Sequence, residues 1–227
     1  VRGGKFKLPF SLDENTGVTY KPHGADAVRF SLTTLTTEGQ DLKLSPEQFD
    51  EGQRFLTKLW NAGRFALGHL AGGEETVAPR IEERSLKLED RWILSRLASA
   101  VNETTACLEG FRYCDAAQRV RSFARDELCD WYVEAVKFRF GAGESDDARS
   151  CRRVLAHALD VTMRLLHPVC PFITEEIWHL LGARLKDRSL GGESAGETPE
   201  SVMIAPWPTA ERYQPDAAAV ESFSLIQ

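Results

Sequence analysis

The sequence predicts an all-α fold, an antiparallel helical bundle preceded by a short irregular N-terminal junction segment. Four long runs place apolar residues at helical spacing, and start or stop chemistry brackets them. The connections between them are short, which sets consecutive helices antiparallel. The chain has 227 residues, 42% of them hydrophobic, enough to bury a sizeable core in one or two domains.

Residues 1–22 show no clear period and carry Pro9 and the polar stretch from Asp13 to Gly17, so irregular or short extended structure is expected there. From Gly24 to about Thr36 an apolar pattern appears with Ala27, Val28, Phe30, Leu32 and Leu35, and Thr37 to Asp41 reads as a polar loop. Ser45-Pro46-Glu47-Gln48 then supplies an N-cap, a proline at the first helical position and a glutamine at the third. The helix it opens should run to about Leu70 and stop at Gly72-Gly73. A charged loop, Glu74 to Arg84, leads to a second helix with Leu94, Leu97, Val101 and Leu108 inward. A third is expected over about Cys114 to Phe138, burying Ala117, Val120, Ala124, Leu128, Trp131 and Ala135, and ending at Gly141-Ala-Gly143.

Ser145-Asp146-Asp147 is good capping chemistry for a fourth helix through Leu155, Leu159 and Met163 to His167, broken by Pro168 and Pro171. Thr174-Glu175-Glu176 can cap a continuation with Ile177, Trp178 and Leu181. Residues 191–199 are rich in Gly, Ser, Glu and Pro and are expected to be mobile. Ser201 to Pro208 reads as short and extended, with Trp207 a plug onto the bundle, and a last helix starts after Pro215 and is still running at Gln227.

The helix from Phe49 to Leu70 carries the candidate site. Advancing about 100° per residue, Arg54, Lys58, Asn61 and Phe65 fall within an arc of roughly 60°. Phe49, Gly52, Leu56, Leu59, Gly63, Ala66 and Leu70 cluster opposite. Phe65 is therefore on the wrong face for the core. A cation, an amide and an aromatic in one row can hold unpaired RNA bases by stacking and edge hydrogen bonds. On geometry alone the commoner fate of such a ring is to pack under a neighbouring helix or loop, so both readings are open.

Net charge is −6, which argues against unselective coating of nucleic acid. Arg112, Arg119, Arg121 and Arg125, and then Arg149, Arg152 and Arg153, form local basic stripes. They read as solvated helix faces first and phosphate contacts second. Cys107, Cys114, Cys129, Cys151 and Cys170 lack Cys-x-x-Cys spacing, so reduced, mostly buried thiols are expected rather than disulfides or zinc. His23, His69, His157 and His179 have no ligand spacing, His167 reads as a cap or satisfied polar group, and no residue has the setting of a nucleophile. No apolar run is long enough to span a membrane and no secretory h-region opens the chain, which points to a cytoplasmic protein.

Four runs resemble the C-terminal part of class I aminoacyl-tRNA synthetases of the valine, isoleucine and leucine group. Gly24-Ala-Asp-Ala-Val-Arg29-Phe30 resembles the segment closing the catalytic region after the KMSKS loop, and Glu38 to Asp41 with Phe55 to Phe65 resembles the entry to the anticodon-binding bundle. Asp130-Trp131-Tyr132-Val133-Glu134 with Lys137, and His167-Pro168 through Trp178, are shared across the group. Lys58-Leu-Trp-Asn61 and Met203-Ile-Ala-Pro206-Trp207-Pro208 favour valine.

The resemblance implies that Lys58, Asn61 and Phe65 are tRNA anticodon contacts, with Arg54 and Arg64 as RNA-backbone contacts, and it tips the balance toward a base-contacting Phe65. Asp26 and Arg29 are expected to order the junction, Trp131 to be core, and Glu134 with Lys137 to be a structural ion pair. The implied organisation is a catalytic-domain remnant and junction over 1–40, the anticodon-binding bundle over 41–183, and the loop, Ala-Pro-Trp-Pro segment and further helix over 184–227. Neither a HIGH-type motif nor KMSKS occurs, so the chain alone is expected not to catalyse and reads as a fragment of a larger gene product. It would need no cofactor itself, while the parent would use ATP and Mg²⁺. Valine tRNA and the parent's catalytic domain are the expected partners, with no DNA and no membrane. The alternatives are a standalone, non-catalytic tRNA-binding module or scaffold, and part of an isoleucine enzyme.

Overall fold

The computed structural model describes residues 22–36, 45–72, 75, 77–141, 143–190, 198–210 and 215–225. Its helices are α1 (Ala25–Leu35), α2 (Pro46–His69), α3 (Leu88–Glu109), α4 (Tyr113–Ser122), α5 (Val133–Gly141), α6 (Asp146–Leu166), α7 (Pro171–Gly182) and α8 (Ala217–Ser224), with a π-helical segment, Phe123–Tyr132, joining α4 to α5. The expectations for residues 1–21, 37–44 and 191–197 lie outside the described residues. The all-α bundle is as the periodicity predicts.

Local chemistry places the helix ends. Gln48 Oε1 accepts the Ser45 N–H at 2.9 Å to open α2, and Ser45's successor Pro46 needs no partner for the N–H it lacks. The Ser145 hydroxyl accepts from Ala148 N at 3.1 Å to open α6. α7 begins at Pro171, ahead of the expected cap at Thr174. Thr174 is instead buried, receiving or donating the 2.8 Å hydrogen bond to His167 Nδ1 that satisfies both. α8 spans Ala217–Ser224 with Leu225 as its C-cap, and the expectation for Gln227 lies outside the described residues. Val202–Ile204 is a 3-10 turn rather than extended chain, and Trp207 docks by donating its indole N–H to Thr105 Oγ1 at 2.8 Å while remaining partly exposed.

The third long helix departs from expectation in an instructive way. Val120, Ala124, Leu128, Tyr132, Val136 and Phe140 are all buried, at a constant spacing of four. In an α-helix each four-residue step overshoots a turn by about 40°, so such a stripe would wind off the core. The π segment has wider turns and takes back the overshoot. Tyr132 and Val136 thereby occupy the core where Trp131 and Ala135 were expected. Trp131 is 36% exposed, with its ring edge-on to Phe223 of α8 at 6.4 Å.

Two polar nodes tie the helices together. Arg139 of α5, with its side chain 1% exposed, donates to both Asp90 oxygens at 2.8 and 2.9 Å and to Asp147 Oδ1 at 2.7 Å, while Tyr132 donates to Asp90 Oδ1 at 2.8 Å. The N-termini of α3 and α6 are thus joined through one guanidinium, while the Asp90 and Asp147 carboxylates in their first turns complement the two helix dipoles. Burial nevertheless holds the Asp90 carboxyl above the usual range, with Arg139 and Tyr132 opposing it. At the second node Asp26 of α1 accepts the Phe172 and Ile173 N–H groups at 3.3 and 2.7 Å, capping α7. Arg29 donates to the carbonyls of Val169 and Pro168 at 3.0 Å each. Asp26 and Arg29 therefore seat α1 on the turn between α6 and α7.

Candidate nucleic-acid interface

α2 packs its apolar side against the bundle, burying Phe55, Leu56, Leu59, Ala66 and Leu70. Its outer side carries Arg54, Thr57, Asn61 and Arg64, all exposed. Arg54, Asn61 and Arg64 make no hydrogen bond or ion pair with any described residue. The Thr57 hydroxyl donates to the Gln53 carbonyl at 2.8 Å, which leaves Arg54, Asn61 and Arg64 as the polar groups of this helical platform without a partner among the described residues.

Lys58 and Phe65 stand at one edge of that platform, where the π segment and α5 run alongside. Lys58 Nζ is ion-paired with Asp130. Phe65 is half-buried, its ring 4.6 Å from the His69 ring and 6.0 Å from that of Phe140, with Lys137 Nζ 5.8 Å from its centroid. His69 in turn stacks on Phe140 at 4.4 Å. Desolvation, then the nearby Arg152 charge, hold the His69 imidazole below its ordinary value, which keeps this aromatic step neutral. Phe65 is thus both packed and partly open: it is braced from behind by two rings.

The five predicted residues therefore lie on one surface, Arg54, Asn61 and Arg64 without a partner among the described residues and Lys58 and Phe65 engaged. Sequence reasoning missed Asp130, His69 and Phe140 as neighbours of the row. Asp130, Glu134 and Lys137 do recur at helical spacing, but only the pairing of the π segment and α5 with α2 brings them to it. The basic stripes are committed elsewhere: Arg119 bonds Glu103 and Glu127, Arg121 pairs with Glu51, Arg152 with Glu144, and Arg153 with Asp187 and the Ala78 carbonyl. Glu134 and Lys137 form the expected ion pair at 2.5 Å, but it is exposed at the surface rather than structural. Among the described residues no group of three or more His, Cys, Asp or Glu side chains is placed to hold a metal ion, and no helix is long and apolar enough to cross a membrane. All five cysteines are free, four of them buried.

A surface of this kind suits single-stranded bases held by stacking and edge contacts. Residues 90–227 match the family model described as the anticodon-binding domain of tRNA ligase. The chain belongs to that family. Among its relatives, the valine–tRNA ligase of Thermotoga maritima is 39% identical over 204 residues, covering 90% of this chain and 21% of that protein. Those of Carboxydothermus hydrogenoformans and Geobacter sulfurreducens are 40% and 41% identical, covering 90% and 89% of this chain and 21% and 22% of theirs. The chain thus spans about a fifth of the length of these curated relatives. The family model begins after α2, but alignments covering nine-tenths of the chain take α2 in.

Among solved structures, the LeuRS of a ternary complex from Agrobacterium radiobacter K84, with tRNA and LeuAMS, aligns with a TM-score of 0.54 at 23% identity, over 87% of this chain and 20% of that one. That likeness shows the fold of the anticodon-binding bundle.

Proposed function

We propose that this chain is the tRNA-recognition part of a valine–tRNA ligase and that the outer face of α2 reads the anticodon. Phe65 stacks on an anticodon base, Asn61 hydrogen-bonds a base edge, and Lys58 contacts a base or phosphate. Arg54 and Arg64 approach the RNA backbone. The observation that carries the reading is the exposed polar row Arg54, Asn61 and Arg64, without a partner among the described residues, beside a braced, half-open Phe65 in a chain of the anticodon-binding family. The valine assignment is supported by relatives that are valine–tRNA ligases.

The remaining expectations follow from the same assignment. The parent enzyme forms valyl adenylate from ATP with Mg²⁺ and transfers valine to the terminal ribose of the tRNA. That chemistry needs motifs outside this sequence, so this chain positions the tRNA and catalyses nothing. Its setting is the cytoplasm, and its intramolecular partner is the catalytic domain.

The test is binding of the 227-residue chain to valine tRNA, to the same tRNA with a changed anticodon, and to valine tRNA with Asn61→Ala or Phe65→Ala in the protein. Weaker binding on either kind of change supports anticodon reading. Equal binding in every case contradicts it and leaves an unselective tRNA-binding scaffold.

A further inference from the structure

The cations of the α2 surface fall into two groups. Arg54 and Arg64 have no partner among the described residues, whereas the two lysines nearest the base-reading positions are each held by a carboxylate. Lys58 is paired with Asp130, and Lys137, over the Phe65 ring, with Glu134. Neither pair resembles the structural pairs of this fold. Arg139 and Asp90 are 1% and 0% exposed and knit three helices together. Lys58 and Asp130 are 35% and 46% exposed, and Lys137 and Glu134 47% and 58%. Pairs that open to water add little to stability and exchange readily with other anions.

Asp130 reaches Lys58 because the π segment rotates it there, in the same step that sends Tyr132 inward to Asp90. A carboxylate beside an RNA surface repels phosphate wherever it lies, yet here it stands against the one cation between Arg54 and Asn61 on that row.

We propose that Asp130 is a specificity-determining residue of the α2 surface, acting through Lys58, with Glu134 doing the same for Lys137. The carboxylate occupies the ammonium until an RNA already docked through its bases at Asn61 and Phe65 displaces it. An RNA whose bases do not fit never releases Lys58 and meets a net neutral pair. The carboxylates therefore suppress binding through phosphate alone, the part of the interaction that carries no sequence information. This inference rests on the proposed reading of α2, and the experiment separates the two.

Binding is measured across a series of salt concentrations for wild type, Asp130→Asn, Glu134→Gln and Asn61→Ala in the 227-residue chain. The RNAs are valine tRNA and the same tRNA with a changed anticodon, and thermal unfolding of each variant checks the fold. For Asp130→Asn, affinity for the changed tRNA should rise about three- to tenfold at low salt. Its log K against log salt should steepen by about 0.7 per freed cation. Affinity for valine tRNA should rise less, so discrimination shrinks; Glu134→Gln should act in the same direction. A structural role would move the unfolding temperature and leave the salt slope alone. If Asn61→Ala weakens valine tRNA binding but Asp130→Asn changes neither slope nor discrimination, or weakens binding to both RNAs, the screening role is overturned and the α2 reading stands. If wild type does not discriminate and Asn61→Ala changes nothing, both fall.

Discussion

Gly52 lets α1 pack closely on α2, and replacing it tests the packing that seats the candidate surface. A Cβ built there would lie 2.5 Å from Ser31 Oγ and 2.9 Å from the Ala27 carbonyl oxygen. The hydroxyl can rotate away at the cost of its 2.9 Å hydrogen bond to the Gln48 carbonyl, but the backbone oxygen cannot move without α1. Alanine gains roughly 1 kcal/mol of helix propensity over glycine, and overpacking of this kind costs about 1–3 kcal/mol. With backbone as the obstacle the upper end applies, leaving a net loss of about 2 kcal/mol, or roughly 4–8 °C in a domain of this size. Gly68, on the same helix, meets nothing within 4 Å. Gly68→Ala should therefore stabilise by up to about 1 kcal/mol from propensity alone. Urea unfolding followed by circular dichroism compares the two, with unchanged m-values licensing the comparison. If Gly52→Ala raises the midpoint as Gly68→Ala does, α1 does not pack on α2 as described.

Other consequences are open to measurement. Arg139→Met strands Asp90 in the core and should cost about 3–5 kcal/mol, while Tyr132→Phe, which leaves Asp90 its arginine, should cost about 1–2 kcal/mol; equal losses in urea unfolding would contradict the shared node. Desolvation leads in holding both His69 and His167 below 6.5, so the unfolded chain binds more protons as pH falls below that value. Their stabilisation is complete above pH 6.5 and is lost as pH falls through their lowered folded-state values. Thermal unfolding should drop as pH falls below about 6.5, with a shallower drop in His69→Gln. Burial pushes the Cys129 and Cys151 thiols up to about 12 and Cys170 higher still. Iodoacetamide at neutral pH should therefore modify half-buried Cys114 first, and mass spectrometry showing Cys129 or Cys151 modified ahead of it would refute that burial.

What was legible in the sequence was local. Ser45 with Gln48, Gly141, Ser145 and the Pro168–Pro171 break mark helix ends through chemistry confined to a few neighbouring residues, and the structure has ends there. The wheel also identified Arg54 and Asn61 as outward-facing, because exposure on an amphipathic helix follows from its period. Trp131 was misplaced because the four-residue spacing from Val120 to Phe140 looks α-helical over any single turn. Only its persistence over the whole run distinguishes a stripe that needs a π segment. The partners of Lys58 and Phe65 were illegible for another reason. Asp130 and Phe140 lie 72 and 75 positions away along the chain, and no local pattern says which helices run side by side. Asp26 capping α7 across 147 positions is the same case.

The central claim is that the outer face of α2 touches the anticodon, and photocrosslinking from that face tests it most directly. Benzoylphenylalanine in place of Asn61, irradiated with valine tRNA, should attach to anticodon-loop nucleotides. The same group in place of Phe172, which is exposed on the α1–α7 side, should not. Attachment from position 61 elsewhere in the tRNA, or capture from position 172 alone, would contradict the account.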